Sequence, residues 1–293
     1  MSRCVVGGTV LAMVALWVFG CGGGAPEIQL DSGEKMTLKH KVVQDLAYRG
    51  KNFVTVNVAG FARPITIEQE VSSSTDSVYA DGACVVSFTF DKYSEVTYSG
   101  GQAIFNDDKE KMIVGESLWL RLKPDGNIDE WRGLEGVRSR DAQGWSLRES
   151  LVMAVAGSVP PMPVEPVGVG DTWTGTLSMP MEGPYGTVTY RITNTYELEG
   201  IAMKKGFRCA RIAVTSDIMA DGSGGDPSGG VEWKMLISGD GKGKVFFAID
   251  EGYVVTSKEE TDVDVETTTR RGREEPKTEY SSAKGESNIV LIQ

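Results

Sequence analysis

Alternation of apolar and polar residues at every second position runs through most of this chain, and it limits the fold more than any other feature. It is clear at Val54, Val56 and Val58, and it returns near the end at Val263 and Val265. Side chains two positions apart lie on the same face of a β-strand, so the pattern indicates strands with one buried and one wet face. Such strands usually pair antiparallel. The sequence therefore predicts a mainly β fold.

Further segments with the same period predict further strands. They lie at 36–42, 65–71, 84–90, 188–192, 210–214, 231–237, 245–249 and 289–292. One hairpin can be assigned to particular residues. Its first strand contains Leu118, Leu120 and Leu122, and its turn lies at 123–126, where Pro124 and Gly126 suit the backbone angles of a β-turn. The glycine-rich stretch 238–243 is predicted to be another turn, and 221–226 a flexible loop.

One short helix is predicted at 146–156. Ser146 and Glu149 have the spacing of a capping box, and the residues Leu147, Leu151 and Val155 repeat every four. A proline-rich stretch at 160–170 follows and is expected to be an extended crossover, since proline cannot donate to a ladder of backbone hydrogen bonds. We expect the helix to pack on the concave side of the sheet.

The N-terminal segment has the shape of a secretory signal, with Arg3 followed by an uncharged apolar run. The sequence Val18-Phe19-Gly20-Cys21 resembles a bacterial lipobox. The resemblance implies cleavage before Cys21 and a lipid on its thiol, which would anchor the chain to a bacterial membrane, with the outer membrane expected. An ordinary cleaved signal and an uncleaved anchor are the alternatives.

Five segments follow from these patterns. They are a signal peptide at 1–20, a lipidated tether at 21–33, a first β half at 34–145, the helix and crossover at 146–170, and a second β half at 171–293. The halves echo each other, because Gly206, Cys209 and Gly252 follow similar residues in the first half at offsets of 124 to 126 positions. The fold is therefore either one continuous half-barrel or two related, duplicated curved sheets.

The charge of the mature chain limits its binding partners, and its cysteines limit its covalent cross-links. Without Arg3 the mature chain carries 29 basic against 41 acidic residues, a formal charge of −12, which argues against nucleic acid as a partner. Cys84 and Cys209 remain after Cys21 is assigned to lipid. In an oxidising compartment they can form a disulfide, or they can be two separate buried thiols.

No reaction motif is present. The chain has one histidine, His40, on an apolar face where we expect it to be packed, and it has no Gly-x-Ser-x-Gly elbow. One histidine and two spare cysteines make a zinc site improbable. We therefore predict a protein without a catalytic residue, metal or cofactor.

The crossover ends in a proline-rich lead into Gly170-Asp171-Thr172-Trp173. This segment is similar to one found in uncharacterised bacterial envelope lipoproteins, and the predicted layout resembles lipoprotein-carrier half-barrels of the bacterial envelope. The resemblance implies a non-catalytic, lipid-anchored protein whose concave face holds something apolar. Residues that suit such a lining are Met153, Met162, Trp173, Met179 and Met181, with core packing as their alternative role.

Two other functions stay open. The first is an envelope scaffold or interaction protein without a small ligand, which would use strand edges or the stretch 221–226 to bind partner proteins. The second is a hydrolase built on two carboxylates, because the separation of an acid pair depends on the fold.

The lipobox generates a first prediction. Cys21→Ser removes the thiol that would carry the lipid, so the variant should leave the membrane fraction while the wild-type chain stays in it. Fractionation and the intact mass of the mature protein measure this. A wild-type chain without lipid mass at Cys21 would contradict the prediction.

Overall fold

The computed structural model describes residues 27–28, 34–58, 61–100, 102–138, 146–183, 186–226 and 230–292. The predicted signal at 1–20, the lipobox cysteine Cys21 and most of the tether at 21–33 lie outside this part of the chain.

Strands dominate the described residues. Thirteen are present: β1 Glu27–Ile28, β2 Val43–Val58, β3 Phe61–Val78, β4 Cys84–Ser99, β5 Gln102–Phe105, β6 Ser117–Leu122, β7 Ile128–Gly133, β8 Thr172–Gly183, β9 Gly186–Lys204, β10 Phe207–Gly225, β11 Val231–Ala248, β12 Tyr253–Arg271 and β13 Lys277–Leu291. Two helices accompany them, α1 Asp107–Ile113 and α2 Leu147–Gly157.

All thirteen strands belong to one antiparallel sheet. Its order is β1-β9-β10-β11-β12-β13-β2-β3-β4-β6-β7, with β8 also beside β9 and β5 also beside β4. Strand β13 pairs with β12 on one side and β2 on the other, so it joins the two predicted halves. The sheet curls into a nearly closed barrel, which confirms the predicted mainly β, antiparallel curved fold. The duplication stays a prediction.

Inward-facing residues form two main apolar clusters. The first is built around α2 and includes Val54, Phe90 and Val263 from three different strands. The second includes Leu38 and Phe247 and packs near the crossover. The predicted alternation thus places apolar side chains inside the barrel.

Helix α2 begins and ends close to its predicted limits. The side-chain oxygen of Ser146 accepts a hydrogen bond from the backbone N–H of Glu149, as a capping residue should. Eight of the eleven helical residues are buried. A helix buried on nearly all sides belongs to the core, so α2 fills the inside of the curved sheet.

The outer edge of β8 is closed without a partner strand. The backbone N–H of Thr176 donates to the carbonyl oxygen of Asp125 at 2.9 Å, and that of Ser178 donates to Oδ1 of Asn127 at 2.9 Å. Pro180 has no N–H, and the N–H of Glu182 donates to Oε2 of Glu149 at 2.8 Å. From Thr176 to Glu182, every second residue along this edge is therefore either bonded or unable to donate. We call this junction between β8, the β6–β7 turn and α2 the seam.

Three predicted elements are wrong: a strand at 36–42, a turn at 238–243 and a loop at 221–226. Residues 36–42 do not form a strand, because only Met36 pairs, in an isolated bridge with Val167, while Leu38 is fully buried in the second apolar cluster. The segment closes the barrel end instead of extending the sheet. The alternation at 36–42 reflects packing against the core rather than pairing in the sheet.

The predicted turn at 238–243 is continuous strand inside β11. A Cβ atom on Gly239 would lie 2.3 Å from the carbonyl oxygen of Asp262, and one on Gly243 would lie 2.0 Å from that of Lys258. These glycines allow β12 to approach closely and do not form a turn. Similarly, 221–225 belongs to β10 rather than to a loop.

Helix α1 was not predicted. Asn106 caps it, and Asp107, Asp108 and Glu110 lie in its first turn. Asparagine followed by acidic residues is a helix-start signal, so the sequence did contain evidence for this helix.

The seam generates a second prediction. Glu149→Ala removes the acceptor for the N–H of Glu182, and we expect it to lower the free energy of unfolding by about 1 kcal/mol. Glu149→Gln keeps a side-chain oxygen that can accept, so it should lose less than half as much. Urea-induced unfolding measures both variants, and equal stability of the two would contradict the role of this bond.

Candidate functional site

The five residues predicted to line an apolar ligand site do not lie around one cavity. Met153, Met179 and Met181 are packed in the first apolar cluster. Met162 and Trp173 are partly buried against the second. The indole N–H of Trp173 donates to the carbonyl oxygen of Pro161 at 2.9 Å, and its ring stacks on Tyr196. The structure therefore divides this set between two clusters.

One cavity lies beside His40, near the barrel end that holds the second cluster. Its volume is about 50 Å³, and its lining includes Tyr48, Phe88, Val159 and Ile289. Sites for small organic ligands usually measure about 300 to 1,000 Å³. A cavity of this size holds a few water molecules, so a lipid would have to displace part of the core to bind here.

His40 is packed, as the sequence predicted. Its Nε2 lies 2.8 Å from the carbonyl oxygen of Pro160, and its ring meets Phe247 edge-on at 5.5 Å. Burial lowers the pKa of the imidazole below its usual value. These contacts hold the segment 36–42 to the crossover.

Both remaining cysteines are free and buried. Cys84 belongs to the first apolar cluster, whereas Cys209 lies in a third, small cluster with Phe246 and Val255. Burial raises the pKa of the Cys84 thiol to about 11 and that of Cys209 to about 12. Of the two alternatives left open by the sequence, the structure has two separate thiols and no disulfide.

Polar residues form a continuous row across the inner face of the barrel. In register from strand to strand, Ser216 lies opposite Gly241, Gly241 opposite Thr261, Glu259 opposite Ser287, and Ser287 opposite Asn52. We call this row the polar belt; its members are Ser216, Gly241, Glu259, Thr261, Ser287 and Asn52. On β10, β11 and β12 it separates the first apolar cluster from the second.

Glu259 is the charged member of the belt. The residue is 8 % exposed, and the hydroxyl of Ser216 donates to its Oε1 at 2.5 Å. Burial raises the pKa of this carboxyl to about 8, although the hydrogen bond from Ser216 opposes the shift. Among the buried polar residues of the described ranges, it is the only one with a carboxyl, amino, guanidinium or imidazole group.

Several polar atoms of the belt have no hydrogen-bond partner among the described residues. They are Oδ1 and Nδ2 of Asn52, Oγ1 of Thr261 and Oγ of Ser287. An unsatisfied buried polar atom costs about 1 to 3 kcal/mol, so a native protein normally meets such atoms with water or a ligand. Sequence reasoning missed the belt, although polar residues at inward positions of the alternation marked it.

The outer face offers a second candidate site at the β5 edge. Phe53, Thr66, Val96 and Phe105 lie side by side across β2, β3, β4 and β5. Phe53 is 46 % exposed and Phe105 is 66 % exposed, and the neighbouring Tyr98 and Ile104 are exposed as well. In the described part of the chain, β5 pairs with β4 alone. Ile104 lies on the opposite face of β5, in register with Thr97, so we call Phe53, Tyr98 and Phe105, with the free edge of β5, the β5 face.

The described ranges contain neither a cluster of metal-binding side chains nor a membrane-spanning helix. No group of three or more His, Cys, Asp and Glu side chains there could hold a metal ion. Neither α1 nor α2, the two helices described, is long and apolar enough to cross a membrane.

Comparison with known proteins gives no family. No protein-family model matches the chain, and no curated protein matches it. Among solved structures, it is similar to DynF of the dynemicin pathway of Micromonospora chersina, with 8 % identity, a TM-score of 0.19, and coverage of 95 % of this chain and 96 % of that one.

Two further structures are similar at the same level. A DUF1329 family protein from Desulfovibrio piger has 10 % identity and a TM-score of 0.19 over 85 % of this chain and 86 % of its own. OccK11 (OpdR) from Pseudomonas aeruginosa has 6 % identity and a TM-score of 0.18 over 87 % and 99 %. Scores this low carry no conclusion about this chain.

The cysteines generate a third prediction. Unfolded, unreduced mature protein should show the thiols of Cys84 and Cys209 to a thiol reagent, whereas the folded protein should react slowly, because burial keeps both protonated and inaccessible. Cys84→Ser should remove one of the two. A wild-type chain that shows neither thiol until it is reduced would contradict this prediction.

Proposed function

We propose that this protein is a non-catalytic, lipid-anchored protein of the bacterial envelope that acts by binding a partner protein at its outer surface. The β5 face is the observation that carries the proposal. An apolar ligand inside the barrel is the competing function, and the packing of the interior argues against it.

The interior has little room for a lipid-sized molecule. Helix α2 occupies the concave side of the sheet, with Val152 and Val155 fully buried. Three of the five residues expected to adapt to a ligand, Met153, Met179 and Met181, already contact this core. The cavity beside His40 is several times smaller than an ordinary ligand site.

The β5 face has the properties of a docking site for an extended segment. The free backbone groups of an edge strand can pair with a strand from another chain, and exposed apolar side chains beside it can supply the contact area. Asp107 and Glu110 lie close after β5 at the start of α1, whereas Asp108 is paired with Lys111 at 3.5 Å. The partner segment should therefore be apolar, extended and flanked by basic residues.

The position of the β5 face suits a protein held at one end. Strand β1, which lies within the predicted tether, pairs with Ile201 and Ala202 near the end of β9. Because the strands alternate in direction, the start of β4 lies at this end, whereas β5 pairs with Val96–Ser99 at the other. A lipid on Cys21 would thus leave the β5 face pointing away from the membrane.

Site-specific cross-linking tests this proposal and is our fourth prediction. A photo-cross-linker in place of Gln102, on the edge of β5, should give one discrete adduct in cells. Phe105→Asp should abolish the adduct, because it places a charge in the apolar contact. Met219→Asp is the matched control, since Met219 is also an exposed apolar residue of the outer face, at 55 %, and it should leave the adduct unchanged.

Two results would contradict the proposal. One is an adduct that survives Phe105→Asp. The other is lipid that is extracted from native protein at one molecule per chain, since this would show that the interior opens to hold a ligand.

A further inference from the structure

The carboxyl of Glu259 lies over a floor of glycine inside the barrel. A Cβ atom on Gly241 would lie 2.3 Å from Oε1 of Glu259, 3.1 Å from Cγ2 of Thr261 and 3.2 Å from Cβ of Ser216. A Cβ atom on Gly243 would lie 2.5 Å from Cβ of Glu259. The side chain therefore reaches over β11 to β10, where the hydroxyl of Ser216 donates to it.

The side chains that share this face with Glu259 carry no charge. They are Val214 and Ser216 on β10, Ser257 and Thr261 on β12, Ser287 on β13 and Asn52 on β2. Tyr196 on β9 is a titratable neighbour, but burial raises the pKa of its phenol, so this group is neutral as well.

Charged residues of the same strands and of α2 face other parts of the molecule. Those on β10 to β13 occupy the alternate positions, which lie on the outside of the barrel: Asp217, Asp240, Lys242, Lys258, Glu260 and Glu286. On α2, Arg148 donates to the carbonyl oxygen of Gly133, and Glu149 accepts from Glu182 at the seam. Among the described residues, Glu259 is therefore buried with one neutral hydrogen-bond donor and no counter-charge.

A proton is the simplest way to neutralise this carboxyl. Removing an unpaired carboxylate from water is costly, and a buried acid becomes neutral instead. We propose that Glu259 holds a proton in the folded barrel, and that loss of this proton admits water to the polar belt and loosens the middle of β10, β11 and β12. This switch is independent of the proposed partner binding, because it lies inside the barrel and the β5 face lies outside.

The composition of the polar belt explains why water would enter there. A charged carboxylate needs several hydrogen-bond donors, and Ser216 supplies one. Thr261, Ser287 and Asn52 have side-chain oxygens without a partner in the described part of the chain. Water that enters can bond to these oxygens as well as to the carboxylate, so the belt is the part of the interior that hydrates at least cost.

The proton makes the stability of the barrel depend on pH. In the unfolded chain a glutamate has a pKa of about 4.3, whereas burial raises the pKa of Glu259 in the folded chain to about 8. Between these two values the folded state binds more protons than the unfolded state, so the free energy of unfolding falls as the pH rises. The loss is complete above the folded pKa. The barrel is therefore most stable on the acidic side of this window.

Urea-induced unfolding of the full-length protein in detergent tests the proposal between about pH 5.5 and about pH 7.5. Over this range the unfolding constant of wild-type protein should rise roughly 70-fold relative to that of Glu259→Gln, because only the wild type releases this proton on unfolding. Glu260→Gln is the matched control. It changes the neighbouring, exposed acid of the same strand and should keep the wild-type dependence on pH.

Two measurements on wild-type protein test the switch even if Glu259→Gln fails to fold. Infrared absorption should show the C=O stretching band of a protonated carboxylic acid at about pH 6, and the band should vanish by about pH 10. Amide hydrogen exchange, corrected for its intrinsic dependence on pH, reports the loosening. The amides of 214–218 and 239–243 should lose protection over the same range, whereas those of β3 should keep it.

Three results would overturn the proposal. Equal pH dependence of wild-type protein and Glu259→Gln would mean that this carboxyl releases no proton on unfolding. Absence of the infrared band at about pH 6 would mean that the folded carboxyl is charged. Loss of the band without loss of amide protection would show that the barrel accepts the charge without taking in water.

Discussion

Closure of the seam is the constraint on which the rest of this structure depends. A sheet of long strands must either end in two free edges or close on itself, and free edges invite pairing with other chains. Here β8 pairs with β9 on one side, and its other edge has no partner strand. Three acceptors replace that strand: a carbonyl oxygen of the β6–β7 turn and the side chains of Asn127 and Glu149. Pro180 has no N–H group and therefore needs no acceptor. Because Glu149 belongs to α2, the helix both fills the barrel and helps to close it. Loss of the helix would therefore open the wall as well as empty the core.

The glycines of β11 shape the interior of this barrel. Along β11, glycines bring the backbones of β11 and β12 close together and leave space that Glu259 occupies. The interior is therefore not uniform. Apolar clusters at each end enclose a polar middle, and a carboxyl is retained there although burial opposes its charge. A core that was only apolar would have needed neither the glycines nor the hydroxyls on the facing strands.

Local patterns predicted most of the elements, because they depend on neighbours in sequence. Alternation identified the long strands, the turn at Pro124 and Gly126 identified a hairpin, and Ser146 with Glu149 identified the start of α2. The errors arose where contacts between residues distant in sequence determine the conformation of a segment. Gly239 to Gly243 have the composition of a turn but approach a neighbouring strand, and 36–42 alternates without joining the sheet. The polar belt was missed for the same reason, since only the register of five strands shows that Ser216, Glu259 and Asn52 share one row.

The position of β13 has a consequence for how the protein is made. This strand lies between β12 and β2, and it pairs Gly285 with Val54, which are 231 residues apart. Synthesis runs from the N-terminus, so β2 must wait with one side unpaired until almost the whole chain has emerged. Contacts so distant in sequence slow folding. A chain of this topology therefore cannot complete its barrel early, and the open side of β2 is protected only when the last strand arrives.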